Sequence, residues 1–109
     1  MISFDEFAKV EIKVGKVVKA ENVNKSDRLI RLHVDMGEET ERVIFTAVRT
    51  FGFTPEDFEG KKWLFVANLE PKPMMGEESQ GMILAVDDKS SGKPIFVSGE
   101  GMSVGSKAH

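Results

Sequence analysis

Cysteine is absent from this 109-residue chain, which excludes disulfide scaffolds, thiolate zinc sites and cysteine nucleophiles. Imidazole comes from His33 and His109 alone, too few for a catalytic or metal site built on several histidines. No apolar run approaches the ~20 residues that span a bilayer. The opening stretch, Met1 to Lys16, alternates charge with apolar residues and lacks the apolar segment of a signal peptide. Glycine-rich phosphate loops of the Walker or dinucleotide type are missing. The carboxylate pairs Glu38-Glu39, Glu77-Glu78 and Asp87-Asp88 are adjacent in loops or turns. Neighbours on an extended chain point to opposite sides, which argues against shared acid–base work. The expectation is a non-enzymatic, cytoplasmic protein with no membrane segment, no metal and no cofactor.

What is present is an ordinary globular composition, 40% apolar and 30% charged in 12.1 kDa. That length allows one domain over 1–109, which buries roughly two thirds of its chain surface without staples. Charge is unevenly spread. Lys9, Lys13, Lys16, Lys19, Lys25, Arg28 and Arg31 face only three acids between positions 9 and 31, a local +4 that leaves −7 elsewhere. Such a segment either offers a face to a polyanion or is the solvated side of exposed strands. A sequence pI of about 5.4 speaks against indiscriminate nucleic-acid binding. Any contact must be local.

Ser3-Phe4-Asp5-Glu6 has the form of a capping box opening a short helix or turn. From Val10 the alternation is strand-like until Gly15 interrupts it and Val17-Val18 changes phase, the mark of a bulge or bend through which one strand serves two sheets. Leu29 to Met36 reads as a second strand with Ile30, Leu32, Val34 and Met36 inward. Glu41 to Val48 is a third. Thr54-Pro55-Glu56-Asp57 supplies a cap, a first-turn proline and two acids, and so a short helix ended by Gly60. Lys61 to Leu69 is a fourth strand, with Trp63 placed in the core. Pro71, Pro73 and Gly76 make Glu70 to Gln80 an irregular loop. Met82 to Val86 is a fifth strand and Ile95 to Val97 a sixth. Five short strands with a helix between the third and fourth is the order of an all-β, five-stranded OB-fold barrel, whose closure removes exposed sheet edges.

The run Asn68-Leu69-Glu70-Pro71-Lys72 through Gly76 to Ser79-Gln80-Gly81-Met82 resembles a family signature. The family is the tRNA-binding domain found at the C-terminus or as the β-subunit of methionyl-tRNA synthetases, in free-standing tRNA-binding proteins and in the endothelial monocyte-activating polypeptide II domain. Asp27-Arg28-Leu29, Val34-Asp35-Met36-Gly37 and the opening from Phe4 to Val17 are similar too. The likeness runs from about Phe4 to Asp88, and Val104-Gly105-Ser106-Lys107 resembles the family's ending. It implies an OB core over about 4–88, a C-terminal dimerisation segment over about 89–109 with extra strands, tRNA as partner, a homodimer and an aminoacyl-tRNA synthetase as possible associate. The alternative within the same fold family is an export-related, chaperone-like dimer that binds peptides; a pure dimerisation domain for a synthetase is a third reading.

Lys72 is the only cation in a loop where the family usually carries two or three. Pro73 and Met75 occupy places often held by basic residues, Glu70 precedes Lys72, and Thr46-Ala47 stands for a usual Ser-Gly pair. The RNA-binding candidates are therefore few. Arg28, Arg31 and Lys72 are positioned to reach phosphate. Asn68 either reads a base edge or closes an Asx-turn on its own backbone. Ser79 either meets a phosphate or 2′-hydroxyl or forms a turn, and Met82 is either a core or pocket-wall residue or packs its thioether on a base. His33 faces outward on the second strand, solvated or stacked on a base.

Overall fold

Alternation of branched apolar residues with polar ones dictates the sheet, and a computed structural model describes it over all of Met1–His109. A one-turn helix α1 (Phe4–Phe7) opens the chain, its N–H groups closed by the Ser3–Glu6 capping box. The strands are β1 (Ile12–Asn22), β2 (Ile30–Asp35), β3 (Arg42–Thr46), β4 (Lys62–Val66), β5 (Lys72–Met74), β6 (Glu77–Ser79), β7 (Met82–Ile83), β8 (Ala85–Asp87), β9 (Pro94–Phe96) and β10 (Lys107–Ala108). Six of them form one sheet, five in the order β3-β2-β1-β4-β7 and β10 joined to β1, every pairing antiparallel. The five make the nearly closed barrel of an OB-like all-β fold.

β1 serves both halves of that barrel, pairing with β4 up to Lys16 and with β2 from Lys16 onward. Gly15 sits at the bend because a Cβ there would stand 2.7 Å from Val34 Cγ1 and 2.9 Å from the Phe65 ring. Val18 is the extra residue of a bulge, the ladder jumping from Val17↔Val34 to Lys19↔His33, and the phase change exposes it. β2 buries Ile30, Leu32 and Val34 and turns Arg31, His33 and Asp35 to the other face, as its alternation requires. The core comprises these three with Val17, Met36, Ile44, Val48, Phe58, Phe65, Ala67 and Ile83.

Four expectations change. The helix between β3 and β4 is two short 3₁₀ turns, Arg49–Phe51 and Pro55–Asp57; the Asp57 carboxylate accepts from Thr54 N–H at 2.8 Å and from its hydroxyl at 3.3 Å, but Gly60 follows too soon for an α-helix to propagate. The supposed loop Glu70 to Gln80 contains a hairpin, β5 paired with β6. Met75 and Gly76 form its two-residue turn with φ of 50° and 82°, the left-handed pair of a type I′ turn. The fifth strand is split into β7 and β8: Leu84 between them still donates its N–H to the Leu64 carbonyl at 2.9 Å but accepts from Val97 N–H, and β8 pairs with β9 beyond it. Trp63 flanks the core without filling it: it is half-buried, its ring against Phe58 and Phe96 and its Nε1 donating to the Phe58 carbonyl at 3.3 Å.

The tail is stitched to the barrel. Gly99 N–H donates to the Lys62 carbonyl, Val14 N–H to the Ser106 carbonyl, and β10 pairs with β1. Ile95 to Val104 thus yields one strand of an extra hairpin, followed by a segment returning along β4 and β1. No helix is long and apolar enough to cross a membrane.

Candidate nucleic-acid interface

Between β3 and β7 the barrel lacks a ladder, and the signature residues close the gap. Gln80 accepts from Val43 N–H at its side-chain oxygen and donates its own N–H to the Val43 carbonyl, both at 2.8 Å. Ser79 Oγ accepts from Phe45 N–H at 3.1 Å and donates to the Gly81 carbonyl at 3.0 Å. Arg42 adds bonds to the carbonyls of Ala67 and Gln80 while its guanidinium forks onto Glu38. That fork holds the Glu38 carboxyl below its ordinary range and raises Arg42. Gly81 is required where it stands: with φ of 147°, a Cβ would lie 2.9 Å from the Val66 carbonyl oxygen and 3.1 Å from Ile44. At the other end of this segment, Asn68 Oδ1 accepts from Glu11 N–H at 2.8 Å and its amide donates to the Lys9 carbonyl. The amide ties two distant stretches of chain together; the Asx-turn on its own backbone is not formed.

These bonds predict a separable phenotype. Asn68→Ala and Ser79→Ala should each lower the unfolding free energy by about 1–3 kcal/mol through unpaired backbone groups. Denaturant melts check this, the larger loss expected at Ser79, which is 5% exposed.

The hairpin β5–β6 lies across the outer side of β2 and β3. Met74 packs on Val23, Leu29 and Phe45, a small cluster outside the barrel. Glu77 holds Arg31 in a two-pronged fork, with Glu21 as a second carboxylate at 3.3 Å. Arg31 also stacks over Phe45, 5.4 Å from the ring centroid. Its ionised state is favoured first by the Glu77 hydrogen bond. Burial pushes Glu21 up, but the His33 hydrogen bond and the Lys19 charge outweigh it and leave the carboxyl below its usual range. His33 is turned toward Glu21 at 3.1 Å, not toward open solvent.

The six sequence candidates thus fall into four groups. Asn68 and Ser79 are spent on the fold, and Arg31 is neutralised by two carboxylates. Arg28 and Lys72 are exposed with no carboxylate within 4 Å, and Met82 is a half-open pocket wall. The basic segment divides in the same way. Lys13, Lys19 and Arg31 are in ion pairs, whereas Lys9, Lys16, Lys25 and Arg28 are in none. Sequence reasoning misses Lys25 as a site residue, since no motif surrounds it. It occupies the β1–β2 loop in a left-handed conformation, φ 65°, and lines a cleft with Asn22, Asn24, Met75 and Glu77. That cleft joins the β1–β2 loop to the hairpin inserted between β4 and β7, the two loops through which OB barrels take oligonucleotides.

A family model described as "Putative tRNA binding domain" matches residues 12–107. The chain is 46% identical over 103 residues to the "Methionine--tRNA ligase" of Chloroherpeton thalassium, which covers 94% of this chain; the chain spans only 14% of that ligase. Among solved structures, the "MetRS related protein from Pyrococcus horikoshii" shares 41% identity and a TM-score of 0.90, covering all of this chain and 98% of its own. The "chaperone CsaA" of Bacillus anthracis shares 25% identity and a TM-score of 0.83, covering 100% and 99%.

Proposed function

We propose that this chain, which belongs to the family of putative tRNA-binding domains, is a non-catalytic module that grips tRNA by shape and backbone. The observation that carries this reading is the meeting of the β1–β2 loop and the β5–β6 hairpin at one end of the barrel, with Lys25, Arg28 and Lys72 left without carboxylate partners. Phosphate contacts of this kind fix register without reading sequence. Asn68 and Ser79 serve the interface by holding the hairpin that carries Lys72, and Arg31 by anchoring it through Glu77. A cytoplasmic place beside an aminoacyl-tRNA synthetase fits the relatives.

The module acts as a homodimer in this reading. Ile2, Phe4 and Phe7 in and beside the helix and Val86 and Ile95 on β8–β9 are large apolar side chains left in solvent, Phe4 at 95% exposure. Two-fold association is the commonest way for a small domain to cover such surface. The C-terminal segment contributes β9 to it.

Sedimentation of the chain alone and with unfractionated tRNA tests both parts. A mass near twice 12.1 kDa and co-migration with tRNA are expected. A chain that leaves tRNA untouched at low salt but migrates with an unfolded model polypeptide would transfer the reading to a chaperone, as the Bacillus anthracis neighbour is called.

A further inference from the structure

Leu69 and Met82 are apolar, yet 48% and 47% exposed, and they stand in the lining of one cleft. Phe45 and Met74 supply its remaining apolar surface, with Ser79 and Gly81 between. The cleft encloses about 510 Å³, within the range that holds a small organic ligand. Its rim carries two opposite charges, Glu70 and Lys72, and neither is in an ion pair. The Ser79 hydroxyl is consumed by Phe45 N–H and the Gly81 carbonyl. What remains for a ligand is an apolar slot, one group that only accepts hydrogen bonds and one that only donates.

We propose that this cleft seats one unstacked nucleobase that bears an exocyclic amino group. The inference rests on the tRNA-binding reading and adds a base-reading subsite to it. Flat aromatic faces pack against the polarizable thioethers of Met74 and Met82 and against Leu69. The nucleotide's phosphate meets Lys72, and the amino group donates to the Glu70 carboxylate, the pairing by which acidic side chains read cytosine N4. Uracil presents O4 in that place, and its only ring N–H lies between two carbonyl oxygens that face the carboxylate unfavourably. An apolar peptide side chain would fill the slot but leave both charges without a counterpart. Lone-strand readers commonly combine a stacking surface with a cation in this way.

The test uses the full chain with methyl-labelled methionine and two probes, pentacytidylate and pentauridylate, alongside unfractionated tRNA. Met74 and Met82 methyl signals should move on adding pentacytidylate and tRNA, while Met36 in the core and Met102 on the tail stay still. Pentacytidylate should bind about fivefold or more tightly than pentauridylate, the lower end of what one good base contact discriminates. Glu70→Gln should erase that preference, because an amide both accepts and donates. If tRNA binds but the two methyls do not respond, or if the two pentamers bind alike, the seat is wrong and the tRNA reading stands. If a model polypeptide moves these methyls and neither pentamer does, the cleft is a peptide pocket and the proposal fails. If tRNA itself does not bind, the broader reading fails and the seat falls with it.

Discussion

Phe58→Ala should lower the unfolding free energy by about 3–5 kcal/mol, a large part of the roughly 5–15 kcal/mol typical of such a domain. Phe58 is fully buried although it lies outside every strand. Its ring is edge-on to Phe96 at 5.0 Å and within 5.9 Å of both Phe53 and Trp63. It thereby plugs one end of the barrel and couples the segment between β3 and β4 to the C-terminal hairpin. Trp63→Ala removes a half-buried ring from the rim of the same cluster and should cost less. Chemical denaturation gives both values. Should Phe58→Ala not fold at all, Phe58→Leu provides a measurable intermediate loss. Equal losses at the two positions would mean that the aromatic cluster is organised around Trp63 instead.

The second large effect concerns charge. Replacing Arg28 and Lys72 together by Ala should weaken all tRNAs by a similar factor, since both are expected to touch phosphate and neither reads a base edge by charge alone. The slope of log affinity against log salt should shrink by about 1.4 to 1.8, the sum for two phosphates lost from single-stranded or duplex RNA. Arg31→Ala should leave the slope almost unchanged, because Glu21 and Glu77 already match its charge; it should loosen the hairpin instead. Restoring a cation at the exposed tip with Met75→Arg should steepen the slope. A wild-type slope in Arg28→Ala Lys72→Ala would place the phosphate contacts on other residues.

Much of the barrel was legible because its determinants are local. The β2 alternation, the glycine bend in β1, the phase change at Val18 and the Ser3–Glu6 capping box are short-range patterns with one physical solution. The β5–β6 hairpin was not, because its signals point the other way. Pro71 and Pro73 read as breakers, yet Pro73 is tolerated in a two-stranded ribbon whose outer side needs no donor. The turn is Met-Gly, without the Asn or Asp that usually announces two left-handed residues. The candidate site was legible as a set of residues but not as a division of labour. Asn68 meets Lys9 and Glu11 from more than fifty positions away, and Arg31 meets Glu77 across 46. No local pattern encodes such partners. The likeness to a family pointed to the Asn68–Met82 segment, and the geometry then separates the residues that hold it from the cations left over.

The most direct test of tRNA recognition by local, unpaired charge is the affinity of the wild-type chain for tRNA across a salt series from about 50 to 200 mM. Lys25, Arg28 and Lys72 would give a log–log slope of about −2 to −3 per chain, with binding tight at the low end and fading at the high end. A slope near zero, or no binding at low salt by a chain whose melt shows it folded, would contradict recognition through the phosphate backbone.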